Sequence, residues 1–270
     1  MFSESTQLSQ WTFSSKEEVF SLRLKAFNRN NDLLITFDEQ HALLLHYDLL
    51  IREFCDSFKP PIPRTTMATA CAYFKRLYVH HSVFECSPQS YYLTCVYLAC
   101  KVDEFNVNIN DFIKCIGGQN ASQVANTILQ TELDLLIRLR FCLIVHSPYR
   151  PLEGLFISLK QASSLPLDVI CGLRNRAENF LLWSLATDVG ILFPPSQIAL
   201  AALHYAATKS NIREKIWFHM SCYDENNFSK IEKIIEDIVV IVKELKLPAK
   251  EEALSILNKI NCNSSCNVGT

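Results

Sequence analysis

Apolar residues recur every three or four positions along most of the chain, the period of an amphipathic helix, and no stretch alternates with period two long enough to predict a strand. Ala70, Tyr73, Phe74, Leu77 and Tyr78 share one helical face, as do Ile231, Ile234, Ile235, Ile238, Val239, Val242 and Leu245. Ser14 with Glu17, and Ser15 with Glu18, have capping-box spacing and predict a helix over about residues 15–28. Asp38 is expected to cap a second, to about Phe58, which Pro60, Pro61 and Pro63 end. Ser87-Pro88 predicts a helix to about Val102. A short one over 109–116 is broken by Gly117-Gly118, and a longer one runs from Ser122 to Arg140. The segment Ser147-Pro148-Tyr149-Arg150-Pro151 reads as a linker, because two prolines three apart forbid a regular helix through both. Beyond it, helices are expected near 151–161, 167–187, 195–209, 211–219 and 225–246, and one more from Pro248 to about Ile260.

The second half repeats the first. A shift of 107 residues carries Ala70 to Ala177, Pro88 to Pro195, Leu93 to Leu200, Ala99 to Ala206 and Ile128 to Ile235. In each half a proline-started helix rich in small residues (Ala99 and Cys100; Ala201, Ala202, Ala206 and Ala207) can be surrounded closely by its neighbours. The expected organisation is an N-terminal helix and connection over 1–37, a first unit over 38–146, a second over 147–247, and a C-terminal helix with a short tail over 248–270. Trp11, Phe13, Leu22, Leu24 and Phe27 at one end, and Leu254, Leu257 and Ile260 at the other, are expected to dock the terminal helices.

Composition narrows the function. Hydrophobic residues make up 49% of the 270, enough to bury a core, while only 6 are glycine, which disfavours β-rich folds and Gly-rich nucleotide loops. Lys and Arg number 26 against 28 Asp and Glu, so there is no basic excess for a nucleic-acid partner. The 11 cysteines include no CxxC, and Cys262 with Cys266 lacks a second ligand pair, so they read as small hydrophobes of a reducing compartment, and no metal or cofactor is expected. No apolar run approaches the ~18 residues that span a bilayer, and no secretory signal opens the chain, so no membrane role is expected. Cys86 near His80 and His81 is a Cys–His pair on paper, but no motif supplies a base or an oxyanion hole.

Three segments carry a resemblance: PRTTMATACAYFKRLYV (Pro63–Val79), SPQSYYLTCVYLACKVDEFNV (Ser87–Val107) and ELDLLIRLRF (Glu132–Phe141). With VHSPYRPLEG (Val145–Gly154) and PPSQIALAAL (Pro194–Leu203), they are similar to the cyclin box. WTFSS (Trp11–Ser15), ACKVDEFNV and HSPYRP place the likeness in the transcriptional branch of the cyclins, among its H-type members. Lys75, where cell-cycle cyclins carry aspartate, and the absence of a Met-Arg docking motif from helix 38–58 favour the same branch. The connection after the first helix is shorter than the family's, and the charged C-terminal extension is missing.

The resemblance implies an all-α fold of two tandem five-helix cyclin folds flanked by terminal helices. It also implies a non-catalytic nuclear subunit that activates a cyclin-dependent kinase. That kinase phosphorylates activation loops of other such kinases and the C-terminal repeats of RNA polymerase II, with a RING-type assembly factor and the factor IIH core as further partners. By motif position Lys101 and Glu132 would hold the kinase beside its αC helix, an ammonium donating and a carboxylate accepting. Val102, Leu136, Phe141 and Leu143 would supply apolar contact. The 107-residue shift carries Lys101 to Thr208 and Glu132 to Val239, so only the first unit is expected to grip the kinase this way. The competing reading is a cyclin-fold transcription-factor or mediator-type adaptor without this kinase role.

Overall fold

A computed structural model describes residues 2–29, 34–116, 121–162, 165–214, 216 and 228–266, and all regular structure among them is helical. A 3₁₀ turn, Phe2–Glu4, precedes α1 (Thr6–Trp11) and α2 (Lys16–Arg29). Then come α3 (Phe37–Ser57), α4 (Arg64–His80), α5 (Pro88–Val102), α6 (Ile109–Ile116) and α7 (Ala121–Arg138). After the Pro148 region follow α8 (Tyr149–Ala162), α9 (Leu167–Ser184), α10 (Val189–Leu192), α11 (Pro195–Lys209), α12 (Phe228–Lys243) and α13 (Lys250–Cys266). The Gly117-Gly118 break and residues 215 and 217–219 of the helix expected over 211–219 lie outside the described residues.

The chain forms two compact units: Phe13–Val145 with Lys246–Thr270, and Met1–Thr12 with His146–Leu245. In the first, α5 packs against α3, α4 and α7. Its small buried residues Cys95, Ala99 and Cys100 permit close approach. In the second, α11 packs against α8, α9 and α12, with Ala199, Ala201, Ala202, Ala206 and Ala207 fully buried.

The repeat extends to the helix caps. At the end of α5 the amide of Phe105 donates to the Cys100 carbonyl (2.9 Å) and that of Glu104 to Lys101 (3.3 Å), with Glu104 left-handed at φ 58°. At the end of α11 the amide of Ile212 donates to Ala207 (3.1 Å) and that of Asn211 to Thr208 (3.2 Å), with Asn211 at φ 55°. Both are Schellman caps, and the 107-residue shift carries every residue of one onto the other.

Several boundaries differ from the sequence reading. The cap of α3 is Thr36, not Asp38. Its Oγ1 accepts from the Glu39 amide (3.2 Å), and the Glu39 carboxylate accepts from the Thr36 amide (2.7 Å). Thr36→Ala is expected to cost about 1 kcal/mol, read as a small fall in melting temperature. A melting curve unchanged from the parent would mean the cap contributes nothing. Of the two capping spacings offered for α2, Ser15 with Glu18 is the one used: Ser15 Oγ accepts from the Glu18 amide (3.2 Å), and the Glu18 carboxylate accepts from the Ser14 amide (2.8 Å). Ser87 makes no side-chain cap bond. Helix α8 begins at Tyr149, inside the expected linker, because Pro151 falls in its first turn, where the missing N–H has no intrahelical partner to lose.

The short helix α1 is absent from the sequence reading. Its six residues are mostly polar and are held by tertiary contacts: Trp11 is fully buried, and the Gln7 amide accepts from the His146 amide (2.6 Å) and donates to the His146 carbonyl (3.4 Å). Phe27 is buried, while Leu22 and Leu24 are half-buried. In α13 the docked face is Ala253, Ile256, Leu257 and Ile260, and Leu254 points outward at 54% exposure, contrary to expectation. The side chains of Cys262 and Cys266 lie outside the described residues.

Candidate functional site

Helix α7 carries two apolar stripes. Ile128, Leu135 and Leu139 are buried inside the first unit. On another side, Leu129, Glu132, Leu133, Leu136 and Ile137 follow the i, i+3, i+4, i+7, i+8 rule of a single face. Leu129, Leu133 and Ile137 on that face are 48%, 61% and 56% exposed. A helix apolar on both sides normally lies buried, so an uncovered second stripe marks an interaction surface.

Lys101, at the end of α5, reaches across to this stripe. Its Nζ donates to both carboxylate oxygens of Glu132, at 2.6 and 2.9 Å, and sits 4.7 Å from the centre of the Tyr97 ring. Lys101 is about half exposed and Glu132 mostly covered. An exposed pair of this kind adds about 0–1 kcal/mol to stability. An ammonium has three donors and a carboxylate about four acceptor positions. The pair therefore keeps capacity to donate and to accept toward a partner's backbone while remaining paired.

Beyond α7 the chain turns sharply. The amide of Phe141 donates to Leu136 (3.0 Å) and that of Arg140 to Ile137 (2.9 Å), a third Schellman cap. Here two successive non-glycine residues, Arg140 (φ 53°) and Phe141 (φ 55°), are left-handed, a strained arrangement that the surroundings must enforce. Two side chains of α4 do so: the buried Arg76 guanidinium donates to the Cys142 carbonyl (2.8 Å) and the Tyr73 hydroxyl to the Leu143 carbonyl (2.6 Å). Burial depresses Arg76 to about 10, still charged at neutral pH. As a result Phe141 and Ile144 project outward, 63% and 67% exposed.

Of the residues singled out from the sequence, Lys101 and Glu132 are brought together. Phe141 is exposed, and Val102, Leu136 and Leu143 are half-buried. Leu129, Leu133, Ile137 and Ile144 were not anticipated. The signal for the first three is the excess of apolar residues between Ile128 and Leu139, more than one core-facing stripe can use.

In the second unit the equivalent positions differ. The Thr208 hydroxyl donates to the His204 carbonyl (2.9 Å), and Val239 is buried. Cys86 is fully buried, and burial pushes its thiol up to about 12, so it is no thiolate beside His80 and His81. Among the described residues there is no group of His, Cys, Asp and Glu that could hold a metal ion, and no helix long and apolar enough to cross a membrane.

Comparison with known proteins places these features in context. Residues 15–144 match the family profile "Cyclin, N-terminal domain" and residues 147–245 the profile "Cyclin C-terminal domain". The chain is 34% identical to Cyclin-H of Xenopus laevis over 277 aligned residues, spanning 96% of this chain and 85% of that one. It is 32% identical to Cyclin-C of Drosophila melanogaster over 246, spanning 86% and 88%. Among solved structures, a chain of the CAK complex of Chaetomium thermophilum bound to ATP-gamma-S superposes with a TM-score of 0.84 at 26% identity, covering 96% of this chain and 88% of that one.

Proposed function

Because the chain belongs to the cyclin family, we propose that it is the regulatory subunit of a CDK-activating kinase and grips the catalytic subunit through the outer stripe of α7. The uncovered apolar stripe interrupted by the Lys101–Glu132 pair carries this reading. Leu129, Leu133, Leu136 and Ile137 bury against the kinase αC region together with Val102, Phe141, Leu143 and Ile144. Lys101 donates to, and Glu132 accepts from, backbone groups beside that helix.

The mechanism is a population shift with no chemistry in this chain. A protein kinase is active when its strand lysine pairs with the αC glutamate and its activation loop is ordered. A subunit that binds only that state draws the equilibrium toward it. Moving from 1:99 to 99:1 takes about 5.5 kcal/mol of differential binding, within reach of an interface of roughly 2,000 Å² anchored by a few residues. The RING-type assembly factor, the factor IIH core and a nuclear location belong to the same reading, which is supported by the likeness to Cyclin-H and to the CAK complex.

The test is reconstitution. Purified chain mixed with the catalytic subunit of a CDK-activating kinase is expected to co-elute with it and to raise phosphorylation of a polymerase-repeat peptide at least tenfold, while the chain alone phosphorylates nothing. Failure to form the complex, or kinase activity without a partner, would contradict the proposal.

A further inference from the structure

The 107-residue shift carries Val102 to Lys209 and Leu136 to Lys243. Two apolar positions of the first unit's outer face thus become cations in the second. They rim an open cleft of about 450 Å³ between α9, α11 and α12, in the size range of sites that hold ligands and anchoring side chains. Its aromatic lining is Phe180, Trp183 and Tyr205; the Phe180 and Tyr205 rings lie 5.0 Å apart, and Trp183 is 43% exposed.

The third cation of the rim is Arg176, whose guanidinium donates to the Ser210 hydroxyl (2.7 Å). Lys209 and Lys243 stand over the Tyr205 ring, 5.9 and 5.7 Å from its centre. Among the described residues none of these three cations has a carboxylate within 4.0 Å, whereas nearby Arg174 pairs with Glu153 and Glu178, and Arg213 with Glu232. Uncompensated cations around an exposed aromatic surface select an anionic partner that also carries an apolar group. They come from two sides of the cleft, Arg176 from α9 and Lys209 and Lys243 over the Tyr205 ring, so that several carboxylates along a peptide can each meet a cation. A chain with 28 acidic and 26 basic side chains lacks the wider basic field that nucleic acid requires.

We infer that this cleft of the second unit docks an acidic peptide segment of a partner protein, with an aromatic or large aliphatic side chain on Trp183 and Tyr205 and carboxylates on Arg176, Lys209 and Lys243. This inference rests on the cleft's own residues and not on the kinase contact of the first unit.

The test uses the whole chain and a fluorescein-labelled synthetic peptide of aspartate and glutamate around one Phe-Leu pair, followed by fluorescence polarisation. The expected result is binding at least tenfold tighter than that of the Asn/Gln version of the peptide, weakening as salt rises. Lys209→Glu with Lys243→Glu should lower affinity at least tenfold and Trp183→Ala at least fivefold, with kinase activation unchanged. If the charge-reversed chain misfolds by its melting curve, Lys209→Gln with Lys243→Gln gives the same direction with a smaller loss. Equal binding of the Asn/Gln peptide, parental affinity in the folded variants, or preference for a phosphoserine peptide or an oligonucleotide would overturn the inference. Loss of kinase activation with peptide binding intact would contradict the proposed function and leave this site standing.

Discussion

Lys75→Ala is expected to remove about 3–5 kcal/mol of stability from the first unit, the range for deleting one member of a buried ion pair. Lys75 on α4 and Asp48 on α3 form a salt bridge with their side chains 9% and 5% exposed. Neither charge is well solvated, so truncating the lysine leaves a carboxylate in the core. Arg52, one turn beyond Asp48 and also buried, is a second cation close enough to act, with Asp48 and Lys75, on the Cys71 thiol. It softens the loss and favours the lower end of the range. Replacing both partners, Asp48→Leu with Lys75→Met, should cost less than Lys75→Ala alone, because neither member of the pair is left without the other, although Arg52 then loses the Asp48 charge beside it. Thermal unfolding of the three proteins decides it. A Lys75→Ala chain that melts with the parent would show that the pair contributes nothing, and a double variant less stable than the single would show that the penalty is packing rather than charge.

The second large effect falls on recognition. Lys101→Ala and Glu132→Ala should each weaken kinase binding by about 2–4 kcal/mol, the range for truncating one partner of a charged contact that becomes buried, or roughly 30- to 1,000-fold. Because Lys101 and Glu132 are bonded to each other, the double variant should lose less than the sum of the single losses. The free chain should change by about 1 kcal/mol or less, since exposure and screening leave little stability in the pair.

What the sequence disclosed follows from what each residue depends on. Helix α5 was legible to the residue because Pro88 at its start and the small-residue run inside it are local signals. The cap of α3 was misread by two residues because Asp38 competes with Thr36 as a capping type, although Thr36 and Glu39 have capping-box spacing. Helix α1 escaped because what fixes it is far off in sequence: Gln7 bonds to His146, and residues 1–12 belong to the same compact unit as 146–245. Motif position singles out Lys101 and Glu132, while periodicity assigns both to ordinary helix surface, and their bond to each other comes from the packing of α7 on α5. Leu129, Leu133 and Ile137 escaped for a different reason. Periodicity reports that α7 is apolar on two sides, but only the packing on α5 decides which stripe stays uncovered. The exposure of Phe141 depends on left-handed backbone at two non-glycine residues, which nothing in Arg140-Phe141 announces.

The central claim is that the first unit alone holds the kinase, through the α7 stripe and the Lys101–Glu132 pair. The most direct measurement is the dissociation constant with the catalytic subunit for Lys101→Ala, Glu132→Ala, Thr208→Ala and Val239→Ala, each checked by a melting curve. The account predicts losses of at least thirtyfold for the first two in chains that remain folded. It predicts near-parental affinity for the last two, with Val239→Ala alone melting lower because it removes buried methyl groups. Parental affinity for Lys101→Ala and Glu132→Ala, or equal losses from both units, would contradict it.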